Sequence, residues 1–272
     1  MPWEWIVVIY AAYFVAVAWG RRYPPPLRWG TLAALAAAWL LPGGRQSGGV
    51  WPTVAAQAVP IVVLLAGYRL SGLFFRAPMR SIEERLLTVD RRVFDAARWM
   101  RLTGAPRRIF NALLELAYLL VYLVVPLGAV VLITTGASNR VGAYWTVVLT
   151  ACFTSYAALP WIQTRPPRTL ENPPPDAMSQ VAGCSGVSRL RRANLAILRA
   201  SSNQVNTIPS GHVAAALAVA LMMLSSDATI GLLFLAMAAA IAAATVVGGY
   251  HYTVDTVAGA AVALASWFCF GR

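Results

Sequence analysis

Apolar positions gather in eight runs, at residues 3–19, 27–41, 50–68, 112–135, 141–162, 212–224, 229–247 and 253–270. A helix needs about 20 apolar residues to cross a bilayer, within a range of about 17–25. The pattern therefore predicts an all-α, polytopic membrane helix bundle of about eight transmembrane helices. The second and sixth runs are short, so their helices start below the interface or the bilayer thins there. The start of the first run carries Glu4 and no basic residue, and Arg21 and Arg22 follow the run, the reverse of a secretory signal. It reads as a retained anchor. On this pattern residues 1–48 form an N-terminal transmembrane hairpin and residues 49–272 the main membrane domain.

Two polar stretches interrupt the runs. In 69–110, Ser81 and Glu84 have capping-box spacing. Ile82, Leu86, Val89, Val93, Ala97 and Met100 then recur every three or four residues, with Arg85, Arg91, Arg92, Arg98 and Arg101 largely off that stripe. The spacing predicts an amphipathic helix over 81–101, lying in the membrane interface or packed on the protein's own loops. The second stretch, 163–209, is rich in proline and arginine, and a loop of that length is usually functional or disordered.

Composition sharpens the assignment. The chain is 59% apolar and 12% charged, with mean hydropathy +0.63, against about 25% charged in soluble domains. All 22 basic residues are arginine, which reflects either a GC-rich genome or the fork-like binding of phosphate that arginine favours. Cys152, Cys184 and Cys269 have neither disulfide nor metal-ligand spacing. The expected setting is a bacterial inner (plasma) membrane. The expected partners are the bilayer and a membrane lipid substrate, with no nucleic acid; the oligomeric state is open.

The chain has two histidines, each at the start of an apolar helix. His212 follows Pro209-Ser210-Gly211, and His251 lies in Gly248-Gly249-Tyr250-His251-Tyr252-Thr253-Val254-Asp255. One run crosses away from the 163–209 loop and the next returns, so both histidines reach one membrane face. Asp255, four residues after His251, would fix the imidazole tautomer and leave the other nitrogen free to attack; alternatively it is an acidic residue favoured by the helix dipole. Ser210 and Gly211 open a helix, where unpaired N–H groups attract anions. Arg165 and Arg168 offer paired hydrogen bonds to phosphate, or they anchor at the headgroup level. Glu115 reads as a buried transporter-type carboxylate or as a partner for an arginine of the amphipathic helix.

These residues resemble the type 2 phosphatidic acid phosphatase superfamily, which includes membrane lipid phosphatases, sphingolipid synthases and vanadium haloperoxidases. Its motifs have the form Lys-x6-Arg-Pro, Pro-Ser-Gly-His and Ser-Arg-x5-His-x3-Asp. The second is complete at Pro209–His212, the third matches at His251 and Asp255, and the first at Arg165-Pro166. The resemblance covers roughly 112–270 and implies a six-helix core to which the first two helices are added. The motif lysine falls at Ala158, and the motif serine and arginine fall at Ala244 and Thr245. Arg168 is the candidate replacement, with Arg189, Arg191, Arg192 and Arg199 behind it. The His-Tyr-Thr-x-Asp form is similar to the sphingomyelin-synthase and inositolphosphotransferase branch.

The resemblance implies that His251 attacks phosphorus, Asp255 orients it and His212 protonates the leaving oxygen. Arg165, Arg168 and the Ser210 and Gly211 N–H groups would stabilise the equatorial oxygens. No metal and no other cofactor is required. A lipid phosphate phosphatase is the leading expectation; a phosphotransferase shares its first half-reaction, and a non-catalytic lipid binder or transporter is the reading from another class. The lipid is open. The arginines favour a cytoplasmic site, with three in 20–28, ten in 69–110 and six in 163–209, whereas the family usually works on the outer face.

Overall fold

A computed structural model describes residues 2–41, 50–93, 106–170, 203 and 205–272. The helices are α1 (Trp3–Gly20), α2 (Pro25–Trp39), α3 (Val50–Ala56), α4 (Ala58–Gly72), α5 (Arg80–Val93), α6 (Pro106–Thr134), α7 (Val141–Ala157), α8 (Gly211–Leu224), α9 (Ala228–Val247) and α10 (Thr253–Phe270). The described residues contain no strand; Thr164 and Asn206 make one isolated antiparallel bridge.

Every predicted apolar run folds as helix, but eight membrane crossings do not follow. Five stretches are long and apolar enough to span: Trp3–Gly20, Thr53–Gly72, Ala112–Thr134, Ala228–Val247 and Thr253–Phe270, and Gly211–Leu224 is a shorter apolar helix. The run expected over 141–162 stops as α7 at Ala157. Proline disfavours helical geometry at the residue before it, and Pro160 follows closely; Leu159, Trp161 and Ile162 close tight turns onto Tyr156 and Ala158 instead.

The centre of the bundle is α7 and α8, which pack on each other. Cys152, Val147, Val148, Leu149, Ala214, Ala216, Ala218 and Val219 are fully buried there. Small side chains on α8 let α9 and α10 approach from either side. The N-terminal helix joins the same core: Tyr10 stacks on Phe153 at 4.0 Å, and Phe14 and Ala18 are fully buried. In contrast, Leu232, Leu233, Val257 and Phe268 project outward at 53–68% exposure. Apolar side chains outside and small ones inside are what a lipid-solvated bundle needs.

Local chemistry sets the helix starts. Pro25 opens α2, where its missing N–H costs nothing. Asp227 caps α9 by accepting from the Ile230 N–H at 2.8 Å. The amphipathic helix starts at Arg80, ahead of Ser81, because the Met79 carbonyl accepts from the N–H groups of Ile82 and Glu83. Ser81 and Glu84 therefore are not its capping box. Its described part turns Glu83 inward, at 2% exposure, and leaves Val89 and Val93 outside; residues 94–101, with the rest of that expected helix, lie outside the described residues.

Gly259 decides how closely α10 can approach the start of α8. A Cβ there would lie 2.6 Å from the Ser210 carbonyl oxygen, whereas at Gly142 it meets nothing within 4 Å. Gly259→Val is expected to destabilise the fold by about 1–3 kcal/mol through overpacking. Gly142→Ala should stay within about 0.5 kcal/mol of wild type. Melts followed by circular dichroism in detergent compare the two.

Candidate active site

The loop after α7, the start of α8 and the start of α10 meet at one end of the bundle. Gln163 ties the loop down. Its side-chain oxygen accepts from the N–H groups of Arg76 and Ala77, at 2.8 and 3.1 Å, and its amide donates to the carbonyls of Phe74 and Pro160. Thr164 then pairs with Asn206, whose N–H donates to the Thr164 carbonyl at 2.9 Å. The two ends of the long loop are thereby joined beside the histidines.

His212 is the second residue of α8. Its Nδ1 lies 3.2 Å from Nε2 of His251, a contact between residues 39 apart in sequence. His251 precedes α10, held by its own N–H, which donates to the Thr245 carbonyl at 3.0 Å. It is 5% exposed. The turn that delivers it needs Gly249, whose φ of +66° lies in the left-handed region; that conformation is open to glycine at no steric cost. A Cβ there would also press on Arg168.

Asp255 stands behind His251, fully buried, with Oδ2 3.5 Å from His251 Nδ1. The i, i+4 relation does not arise on a helix face, because α10 begins only at Thr253. Asp255 is instead the third residue of that helix, and its Oδ2 accepts from the Tyr252 N–H at 3.0 Å. The same oxygen accepts from the Asn206 amide at 2.8 Å. The two readings that are alternatives on sequence do not exclude each other: the carboxylate that caps α10 also stands beside the His251 ring. At 3.5 Å the His251 contact is longer than a hydrogen bond; catalytic contacts of this kind often tighten only when substrate is bound. Among the described residues, His251 Nδ1 and Asp255 Oδ1 are buried side-chain atoms without a hydrogen-bond partner.

The expected phosphate ligands take distinct places. Arg165 meets Glu83: its Nε and Nη2 donate to the two carboxylate oxygens at 3.1 and 2.9 Å, and its N–H donates to Oε1 at 2.8 Å. Arg168 lies over the Tyr250 ring at 4.8 Å, its N–H donating to the Gly249 carbonyl at 3.1 Å. Its charge also acts on His212 and Tyr118. The Ser210 N–H is already used, donating to the Asp255 carbonyl at 2.9 Å, and Ser210 Oγ faces the Val213 N–H at 3.4 Å as the cap of α8. Gly211 is glycine for packing: a Cβ would lie 2.5 Å from the Tyr156 ring. Its N–H lies 3.5 Å from Thr207 Oγ1. Arg189, Arg191, Arg192, Arg199 and Cys184 lie outside the described residues.

Several contributors carried no sequence signal. Tyr118 stacks on Tyr250 at 3.9 Å, and its hydroxyl is 3.5 Å from Nε2 of His212. The Tyr250 hydroxyl donates to Glu115 at 2.9 Å, so this carboxylate, which resembled a transporter's, lies next to the site. Ala244, where the motif serine falls, is buried among Leu114, Ala117, Tyr118 and Tyr250. Aromatic and apolar packing thus occupies that side. Asn206 would have been recognisable only from its distance to Asp255. No group of three or more His, Cys, Asp or Glu arranged to hold a metal occurs among the described residues.

A family model described as the PAP2 superfamily matches residues 84–269. The chain belongs to that superfamily, whose members are typically phosphatases. The match begins inside α5, earlier than the expected 112. With the long apolar helices, it points to an integral membrane protein. No curated protein and no solved structure shows a significant match to this chain.

Electrostatics at the Glu83–Arg165 contact give a pH signature. Burial pushes the Glu83 carboxyl up, but the hydrogen bonds and charge of Arg165, helped by Arg80, outweigh it and hold the group below its usual range. A depressed folded value stabilises the fold above the ordinary glutamate value of about 4.3. That contribution disappears as pH falls through the lower folded value. The melting-temperature gap between wild type and Glu83→Gln should therefore be constant near neutrality and close on acidification below about pH 4.

Proposed function

We propose that this protein is a metal-independent lipid phosphate phosphatase that works through a phosphohistidine at His251. The observation that carries the reading is the line Asp255–His251–His212, with contacts of 3.5 and 3.2 Å. With its Nδ1 proton directed at Asp255, His251 keeps its lone pair on Nε2, facing His212. A phosphoryl group that replaces this direct contact by parting the two rings meets a nucleophile on one side and a proton donor on the other. The Nε2–P bond forms while the P–O bond to the lipid breaks, and His212, entering the step as the imidazolium, gives its Nδ1 proton to the departing oxygen and is left neutral. Asp255 balances the positive charge on the phosphorylated imidazole. Water then loses a proton to His212 and attacks phosphorus, breaking the N–P bond and releasing phosphate.

Arg165 and Arg168 are the cations proposed for the equatorial oxygens. Both belong to the loop that Gln163 and Thr164 pin down. Ser210 contributes by capping α8 and fastening it to Asp255. Outward-facing apolar helices supply the route for a substrate with its tail in the bilayer. An alcohol in place of water in the second half would give a phosphotransferase with the same site residues, so dependence on an added lipid alcohol separates the two.

Purified protein in detergent with EDTA should release phosphate from phosphatidate, diacylglycerol pyrophosphate or polyprenyl diphosphate. His251→Ala should lower the rate by at least about 1,000-fold, as loss of a nucleophile does. Acid-labile, base-stable label should appear on wild type incubated with [32P]phosphatidate, and not on His251→Ala. Release that persists in His251→Ala, or is abolished by EDTA, overturns the mechanism. Release that appears only with an added lipid alcohol makes the protein a transferase.

A further inference from the structure

Glu83 lies outside the family match and outside every motif, yet it makes three hydrogen bonds to one candidate phosphate ligand. We propose that Glu83 is a positioning residue: it holds Arg165 by main chain and side chain together, so that the guanidinium presents its remaining N–H groups to the substrate phosphate. The inference rests on the reading of Arg165 as a phosphate ligand.

Geometry supplies the argument. Guanidinium has five N–H donors in a rigid plane. Glu83 takes one from Nε and one from Nη2, leaving three for an anion. The Arg165 main chain is fixed on both sides, by Glu83 at its N–H and by the Tyr252 hydroxyl, which donates to its carbonyl at 3.1 Å. Tyr252 is fully buried and adjoins His251. Arg165 is therefore tied to the nucleophile through one residue.

The brace has a second foot. One helical turn pair along α5, Asp90 Oδ1 accepts from the Thr253 N–H at 2.8 Å, at the first residue of α10. The two inward carboxylates of α5 thus clip the arginine loop and the helix carrying Asp255. A neutral acceptor would satisfy the Arg165 N–H equally well. The carboxylate adds the two-armed grip on the side chain, and charge-assisted pairs of this kind fix orientation. Glu83 is 2% exposed while the Arg165 side chain is 37% exposed, so the anchor is buried and the held group reaches an accessible edge.

Steady-state kinetics on phosphatidate test the idea with wild type, Glu83→Gln, Arg165→Ala and the double variant. Calorimetric titration with orthovanadate, a phosphate mimic, runs in parallel. Glutamine keeps the acceptor for the Arg165 N–H, which protects folding. Glu83→Gln is expected to raise KM about tenfold and weaken vanadate binding by a similar factor. Its kcat should fall as well, by about threefold to tenfold, because the displaced guanidinium is also the group proposed for the equatorial oxygens in the transition state. In the Arg165→Ala background the change should have no further effect. An unchanged or lowered KM, or an effect that persists without Arg165, overturns the proposal. If wild type cleaves no lipid phosphate, the phosphatase reading fails by itself, and the vanadate series still decides the role of Glu83. Wild type that binds no vanadate overturns both.

Discussion

The structure depends on one buried carboxylate. Asp255 caps α10 through the Tyr252 N–H, receives the Asn206 amide, and stands 3.5 Å behind His251. Its main-chain carbonyl accepts from the Ser210 N–H and so fastens α10 to the start of α8. An unpartnered charge at this depth would be expensive. The partners that stabilise it come from two separate segments, the loop end at Asn206 and the turn at His251 and Tyr252, and assembling them places His251 against His212. Folding of this end of the bundle and construction of the site are the same event.

Around that carboxylate the cations are held, not loose. Arg165 is gripped by Glu83, and Arg168 lies on the Tyr250 ring. Tyr118 and Tyr250 build a wall beside His212, with Glu115 bonded to it from behind. Little of this would need water to stay in place. Preorganised donors in a low-dielectric site stabilise developing charge more strongly than the same groups in solvent. Such a site suits phosphoryl transfer, where charge on the phosphate oxygens is the main problem.

The N-terminal helix and α5 belong to this arrangement as much as the motif-bearing helices do. Tyr10 and Phe14 enter the core that surrounds α7. The Tyr13 hydroxyl donates to the Ala157 carbonyl and receives the Trp161 indole N–H. These contacts hold the end of α7, from which the arginine loop departs. α5 then covers the loop with Glu83 and the start of α10 with Asp90. Helices that look peripheral in sequence thus set the position of the loop that carries Arg165 and Arg168.

By itself the sequence determined the helical class, the place of each apolar helix and the convergence of His212, His251 and Asp255 at one end. Those follow from local rules: hydrophobic periodicity, proline and aspartate at helix starts, and the parity of successive crossings. It misplaced the end of α7 and the start of α5, where a following proline and the Met79 carbonyl, which accepts from the Ile82 and Glu83 N–H groups, outweigh the expected pattern. It offered Ser210 and Gly211 to phosphate, and could not show that the Ser210 N–H bonds the Asp255 carbonyl or that Gly211 packs on the Tyr156 ring. Only the tertiary structure decided that Asp255 is helix cap and histidine partner at once, that Glu83 holds Arg165, and that Tyr118, Tyr250 and Asn206 belong to the site. The physical reason is range. A cap or an apolar run is written in neighbouring residues, whereas a buried carboxylate chooses its partners from whatever the folded chain brings within about 3 Å.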